Sequence, residues 1–154
     1  MIRKLIPFLS LLLLSNCQDG PKAAFNEEFV PILNNKDIPF QKFVGIYELD
    51  EDSKKRFGIP IQTSLTLNVK LDKTFTANNY VDAKTWKLKK EMLSSFFYYY
   101  SGEDGVSISS PELTDGGVIN IYSRKKDSAL TLYLYIRPLK GQEHGDYLRY
   151  IKVK

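Results

Sequence analysis

The chain has one cysteine, Cys17, and one histidine, His144, and these two side chains bound much of the chemistry available to it. A lone thiol can neither close an internal disulfide nor supply a multi-thiolate zinc site, but it can carry a covalent modification. His144 stands in Gln142-Glu143-His144-Gly145-Asp146, where a base beside acids could exchange protons with a substrate. No Gly-x-Ser-x-Gly elbow accompanies it, so an exposed loop histidine is the simpler reading. Acidic residues cluster at Asp50-Glu51-Asp52 and at Glu103-Asp104. Neither cluster has the spacing of a calcium loop, and both read as solvated turns. A glycosidase pair would depend on a carboxylate separation that only three dimensions define. Lys84, Lys87, Lys89 and Lys90 surround Trp86 in a patch suited to anionic headgroups, to an acidic partner or simply to solvent. These residues assign no catalytic group, no metal ligand and no cofactor, and the expectation is a protein that is not an enzyme.

The aromatic residues say more. There are ten Tyr and nine Phe in 154 residues, and a phenol combines apolar area with a hydrogen-bonding tip. Trp86, Tyr98, Tyr100, Tyr133 and Tyr135 are the candidates for contact with a small apolar ligand or a protein partner, with Tyr122 beside them. Ordinary β-sheet packing is the competing role for these residues.

The first residues pass from the basic Arg3-Lys4 through an apolar run, Leu5 to Leu14, to Ser15-Asn16-Cys17. A basic start, a short apolar core and small or polar residues at its end describe an export signal. Ten residues make a helix of roughly 15 Å, half the ~30 Å of a bilayer's hydrocarbon, so the run is too short for a lasting span. Leu14-Ser15-Asn16-Cys17 resembles the lipobox of bacterial lipoproteins, departing from it at Asn16, where a smaller residue is usual. The resemblance implies a leader over residues 1–16, lipidation of Cys17 and a membrane anchor. With Gln18 in place of an Asp after the cysteine, it implies the outer membrane of the cell envelope.

Removing Arg3 and Lys4 leaves 20 basic and 18 acidic side chains, with both signs spread along the chain. Phosphate binding depends on clustered Lys and Arg that release counterions, so nucleic acid is not an expected partner.

Residues 17–40 are polar and broken by Pro21, Pro31 and Pro39, the composition of a tether. Phe25, Phe29, Val30, Ile32 and Leu33 allow one or two helical turns within it that would dock partly on the domain. Residues 41–154 read mainly as strands. Lys42 to Leu49 is the first, and Ile61 to Val69 alternates apolar with polar residues, the period of a half-buried strand. Leu71-Asp72-Lys73-Thr74 turns the chain into a partner strand, Phe75 to Val81. Residues 82–97 fit a short strand around Trp86 followed by a turn or a helical turn. Strands then recur at Phe96 to Tyr100, Val106 to Ser110, Val118 to Ser123, Ser128 to Ile136 and Asp146 to Val153. Seven to nine short strands joined by tight turns favour a mainly β fold, an antiparallel meander closing into a small barrel, or else a β-sandwich.

Phe43-Val44-Gly45-Ile46-Tyr47, Leu65-Thr66-Leu67 with Asp72-Lys73-Thr74-Phe75, and Leu148-Arg149-Tyr150 resemble the opening, hairpin and closing strands of small lipocalin-like bacterial lipoproteins. The resemblance implies a lipocalin-like barrel. Together the readings describe a membrane-anchored envelope lipoprotein that binds a small apolar ligand or another envelope protein. The alternative is an immunity or inhibitor lipoprotein that blocks a periplasmic toxin or hydrolase.

Overall fold

The computed structural model of the protein describes residues 25, 28–32, 38–100 and 105–154. The expected export leader, Cys17, Leu33, Glu103 and Asp104 lie outside the described residues, and Tyr100 is described in its backbone only.

The described residues form nine strands: β1 (Phe29–Pro31), β2 (Gly45–Leu49), β3 (Thr66–Val69), β4 (Thr74–Val81), β5 (Leu88–Tyr100), β6 (Gly105–Ile108), β7 (Val118–Arg124), β8 (Leu130–Ile136) and β9 (Asp146–Lys152). From β2 onward each strand pairs antiparallel with the next, and β9 returns to pair with β2. Eight strands therefore close a barrel of the small lipocalin-like kind, with β1 outside the ring against β7. Closure gives every strand of the ring a partner on each side, although β6 reaches only the last four residues of β5. It also gives the barrel two rims. The lower is where β2, β4, β6 and β8 begin, and the upper is where they end.

Alternation decides which side chains enter the barrel. Leu67 and Val69 of β3, Phe75 and Ala77 of β4, Leu132, Leu134 and Ile136 of β8, and Leu148 and Tyr150 of β9 are all buried in one core with Tyr47 and Leu49. Phe43, Tyr47, Leu65, Phe75, Val81, Leu132, Leu134, Ile136 and Leu148 have no accessible surface at all. A side chain that a water-sized sphere cannot touch lines no void large enough for water. Eight strands make a barrel just wide enough for side chains to fill, and here large aromatic and branched residues fill it.

Both rims are closed by aromatic residues. At the lower rim a 3-10 turn, Phe40–Lys42, brings Phe40 and Phe43 against Phe97 and Tyr99, with ring centroids 5.6 to 6.0 Å apart. At the upper rim Phe57 meets Trp86 edge to face at 5.3 Å, and Trp86 Nε1 donates to the Arg137 carbonyl at 3.0 Å.

Several local elements differ from the sequence expectations. Asp50-Glu51-Asp52 is not a turn but the start of a helix, α1 (Glu51–Arg56), whose N-cap Asp50 accepts from the Ser53 amide at 2.9 Å. The order of acids before Lys54, Lys55 and Arg56 matches the helix dipole at both ends. Ile61 to Leu65 is not strand, because the Pro60 carbonyl accepts from the Thr63 amide and turns the chain first. The expected strand around Trp86 is a turn. The Asp82 carboxylate accepts from the amides of Lys84 and Thr85, and Trp86 takes a positive φ of 56°. The helical alternative after it gives way to a single strand of 13 residues, β5. Phe29 to Pro31 is strand β1, where the sequence allowed a helical turn.

The alternation makes a direct prediction. Phe75→Ala should lower the free energy of unfolding by about 3–5 kcal/mol, whereas Met92→Ala, on the outside of the adjoining strand, should change it by less than about 0.5 kcal/mol. Urea denaturation of the two variants checks both values.

Candidate functional site

The four aromatic candidates whose side chains are described, Trp86, Tyr98, Tyr133 and Tyr135, do not converge. Trp86 plugs the upper rim. Tyr98 points outward from β5 and is 43% exposed. Tyr133 and Tyr135 face outward from β8, two strands away from β6 and on a different part of the wall. The Tyr135 ring lies 5.3 Å from that of Tyr147. Tyr100 adds only its place at the end of β5, opposite Gly105. Trp86, Tyr98, Tyr133 and Tyr135 mark one rim and the outer wall, and none of these three tyrosines is among the buried residues of the interior core.

Tyr133 belongs to a second, smaller core on that outer wall, with Phe29, Tyr122 and Ile151. Its centre is Arg149, only 3% exposed although it stands on the outer face of β9. The Arg149 guanidinium lies 4.2 Å from the Phe25 ring centroid and 4.0 Å from that of Phe29, close enough for cation–π attraction on both. It also pairs with Asp50 through Nε and Nη2, and donates from Nη2 to Asp52 at 2.9 Å. The Arg149 amide donates to the Ser53 hydroxyl at 3.0 Å, and the Asp50 amide donates to the Arg149 carbonyl at 3.0 Å. One carboxylate, that of Asp50, thus caps α1 and neutralises the arginine beneath the N-terminal segment.

Phe25 and Phe29 complete this cluster from the stretch that reads as a tether. Phe25 sits edge to face on Tyr133 at 5.1 Å, and β1 pairs Phe29 with Arg124 and Pro31 with Tyr122. The described part of that stretch is therefore packed against the barrel. Burial pushes the Tyr133 phenol well above its ordinary pKa, against the opposite pull of the Arg149 charge, so the phenol is neutral. With two acids already on Arg149, the cluster is a joint that holds α1, β9 and the N-terminal segment together.

A different part of the wall is open. On β5, Leu93, Ser95, Phe97 and Tyr99 face in, while Met92, Phe96 and Tyr98 face out, with Met92 71% and Phe96 57% exposed. Their cross-strand partners are short and polar: Asn78 opposite Met92, Thr74 opposite Phe96 and Ser107 opposite Tyr98. The three long side chains therefore stand above their neighbours as an apolar stripe, the kind of exposed surface that marks contact with other molecules.

His144 is almost fully exposed, and Glu143, its nearest acid at 3.9 Å, is equally so. Such a pair has no fixed geometry with which to position a substrate proton. The lysines around Trp86 are exposed as well. Among the described residues no three His, Cys, Asp or Glu side chains are grouped to hold a metal ion, and no helix is long and apolar enough to cross a membrane. Comparison of the chain with protein-family models, with curated proteins and with solved structures finds no match.

The buried pair defines a contrast between two neighbouring acids. Asp50→Ala removes both the cap and the enclosed partner of Arg149, and should cost about 3 kcal/mol or more. Asp52→Ala, at a half-exposed carboxylate, should cost about 1 kcal/mol or less. Equal losses in a denaturation series would show that Asp50 and Asp52 hold Arg149 equally.

Proposed function

We propose that this protein is an exported, lipid-anchored lipoprotein of the bacterial cell envelope, held in the outer membrane through Cys17, whose barrel is a non-enzymatic module that binds another envelope protein. The address rests on the basic start, the apolar run and the lipobox-like Leu14-Ser15-Asn16-Cys17. The choice of a protein over an enclosed ligand rests on one observation. Nine side chains of the interior, Tyr47, Phe75, Leu132 and Leu134 among them, have no accessible surface, while Met92, Phe96 and Tyr98 present apolar surface on the outside of β5. A carrier of the enclosed kind needs a cavity that buries most of its ligand. A protein partner needs rigid apolar anchors on an ordered wall, and aromatic side chains are the commonest of these. The stripe provides two aromatic rings and a methionine on a strand paired with β4 at Met92 and Phe96 and with β6 at Tyr98. An inhibitor or immunity role would be one specific use of the same wall.

The address and the binding surface are separable by experiment. Mass spectrometry of the N-terminus of the mature chain should find Cys17 first and carrying a diacylglyceryl group, and Cys17→Ser should release the protein from the membrane fraction. A free thiol on a chain still held in the membrane would refute the anchor. Cross-linking in intact envelopes should give a single stoichiometric adduct that Met92→Ser with Phe96→Ser abolishes while thermal stability is kept. An adduct unaffected by the pair of substitutions would remove the stripe from the binding surface.

A further inference from the structure

The lower rim carries a feature that neither the anchor nor the stripe uses. Beside the 3-10 turn, between the start of β8 and the end of β9, lies an open groove of about 500 Å³. Its floor and walls are apolar, from Ile38, Leu130 and Val153 among others, and three lysines, Lys42, Lys152 and Lys154, line it as well. None of the three forms an ion pair with an acid among the described residues. Lys152 Nζ is held against the Lys42 carbonyl at 2.7 Å, which fixes one ammonium group within reach of another lysine.

The rest of this rim reinforces the same sign. The turn between β3 and β4 brings Lys70 and Lys73, and the turn between β7 and β8 brings Lys125 and Lys126. These turns also carry Asp72 and Asp127, the latter paired with Arg124, and the basic residues outnumber the acids in each, so both remain net positive. Like charges gathered at a half-enclosed apolar surface repel one another and raise the local concentration of anions. Burial and the neighbouring Lys42 charge both lower the pKa of Lys152, as expected for an ammonium group that lacks a counter-charge.

We infer that this groove is a binding site for an anionic amphiphile, with a phosphate or carboxylate head received by Lys42, Lys152 and Lys154 and the first part of an alkyl chain lying on Ile38, Leu130 and Val153. Charge and lining together select the ligand. A free inorganic anion leaves the apolar surface wet, and a neutral amphiphile leaves the lysines unpaired. The site is outside the barrel and independent of the stripe on β5, so it stands or falls apart from the protein-binding reading.

The test uses the full chain bearing Cys17→Ser, so that no attached acyl group competes for the groove. Dodecyl phosphate, kept below its micellar concentration, is titrated against the protein and followed by backbone amide shifts. Saturable shifts confined to Ala129, Leu130, Val153 and Lys154, leaving the Trp86 rim unmoved, are expected. Inorganic phosphate and dodecyl maltoside should each bind at least about tenfold more weakly. Lys42→Glu with Lys154→Glu, both at exposed positions, should weaken dodecyl phosphate by about tenfold or more. Equal binding of inorganic phosphate would overturn the apolar half of the site, and equal binding of dodecyl maltoside the ionic half. Shifts spread over the whole surface, or none, would overturn the site itself. The comparison of the three probes on the chain with its lysines intact needs no further folded variant.

Discussion

The structure depends on one seam, the pairing of the first barrel strand with the last. Tyr47 faces Lys152, Glu48 faces Ile151 and Leu49 faces Tyr150. Beyond the ladder, the Ile46 amide donates to the Lys154 carbonyl and the Asp50 amide to the Arg149 carbonyl. Without these bonds the sheet would have two long edges, with unpaired amides and carbonyls and an apolar face open to water. With them, every second residue is committed to a closed interior. Gly45 belongs to the same constraint, because a Cβ there would lie 2.0 Å from the Lys154 carbonyl oxygen, and its φ of +142° suits glycine. Helix α1 and the N-terminal segment extend the seam on its outer side. Asp50 links β2 to Arg149 of β9, and Phe25 and Phe29 lie over that arginine.

A barrel closed this way and filled to the centre places its chemistry on the surface. The interior phenols of Tyr47 and Tyr150 are pushed far above their ordinary pKa by burial alone, so they remain neutral and act as packing. What remains is divided between two places. The wall at β5 is apolar and offers shape. The lower rim is cationic and offers charge beside apolar surface. Both are carried by paired strands of one closed barrel, which keeps their side chains in fixed relation.

Much of the fold was legible in the residues because its determinants are local. Asp72-Lys73-Thr74 makes its turn through the side chain of Asp72, and Leu130 to Ile136 alternates without interruption. The misread places share a physical cause. Leu88, Met92 and Phe96 are four residues apart, a spacing common to one face of a strand and one face of a helix, so the pattern could not separate the two over residues 88–97. Helix α1 is only 6 residues long and wholly polar, so its signal lay in charge order and capping instead of an apolar period. Ile61 to Leu65 alternates correctly but follows Pro60, and its turn outweighs the pattern. The candidate site was less legible. Arg149 looked like one outward residue between Leu148 and Tyr150, and its partners lie 99 and 97 positions away. The lysines of the lower rim are evenly scattered along the chain and meet only because alternate connections return to one end of a closed meander.

The claim on which this account turns is that the barrel is solid. Crystals of the protein under xenon pressure test it most directly, since xenon enters dry apolar cavities that water does not occupy. No xenon is expected between Tyr47, Phe75, Leu132 and Tyr150. A xenon atom, or the density of a retained lipid, at that position would contradict it and return the ligand to the inside of the barrel.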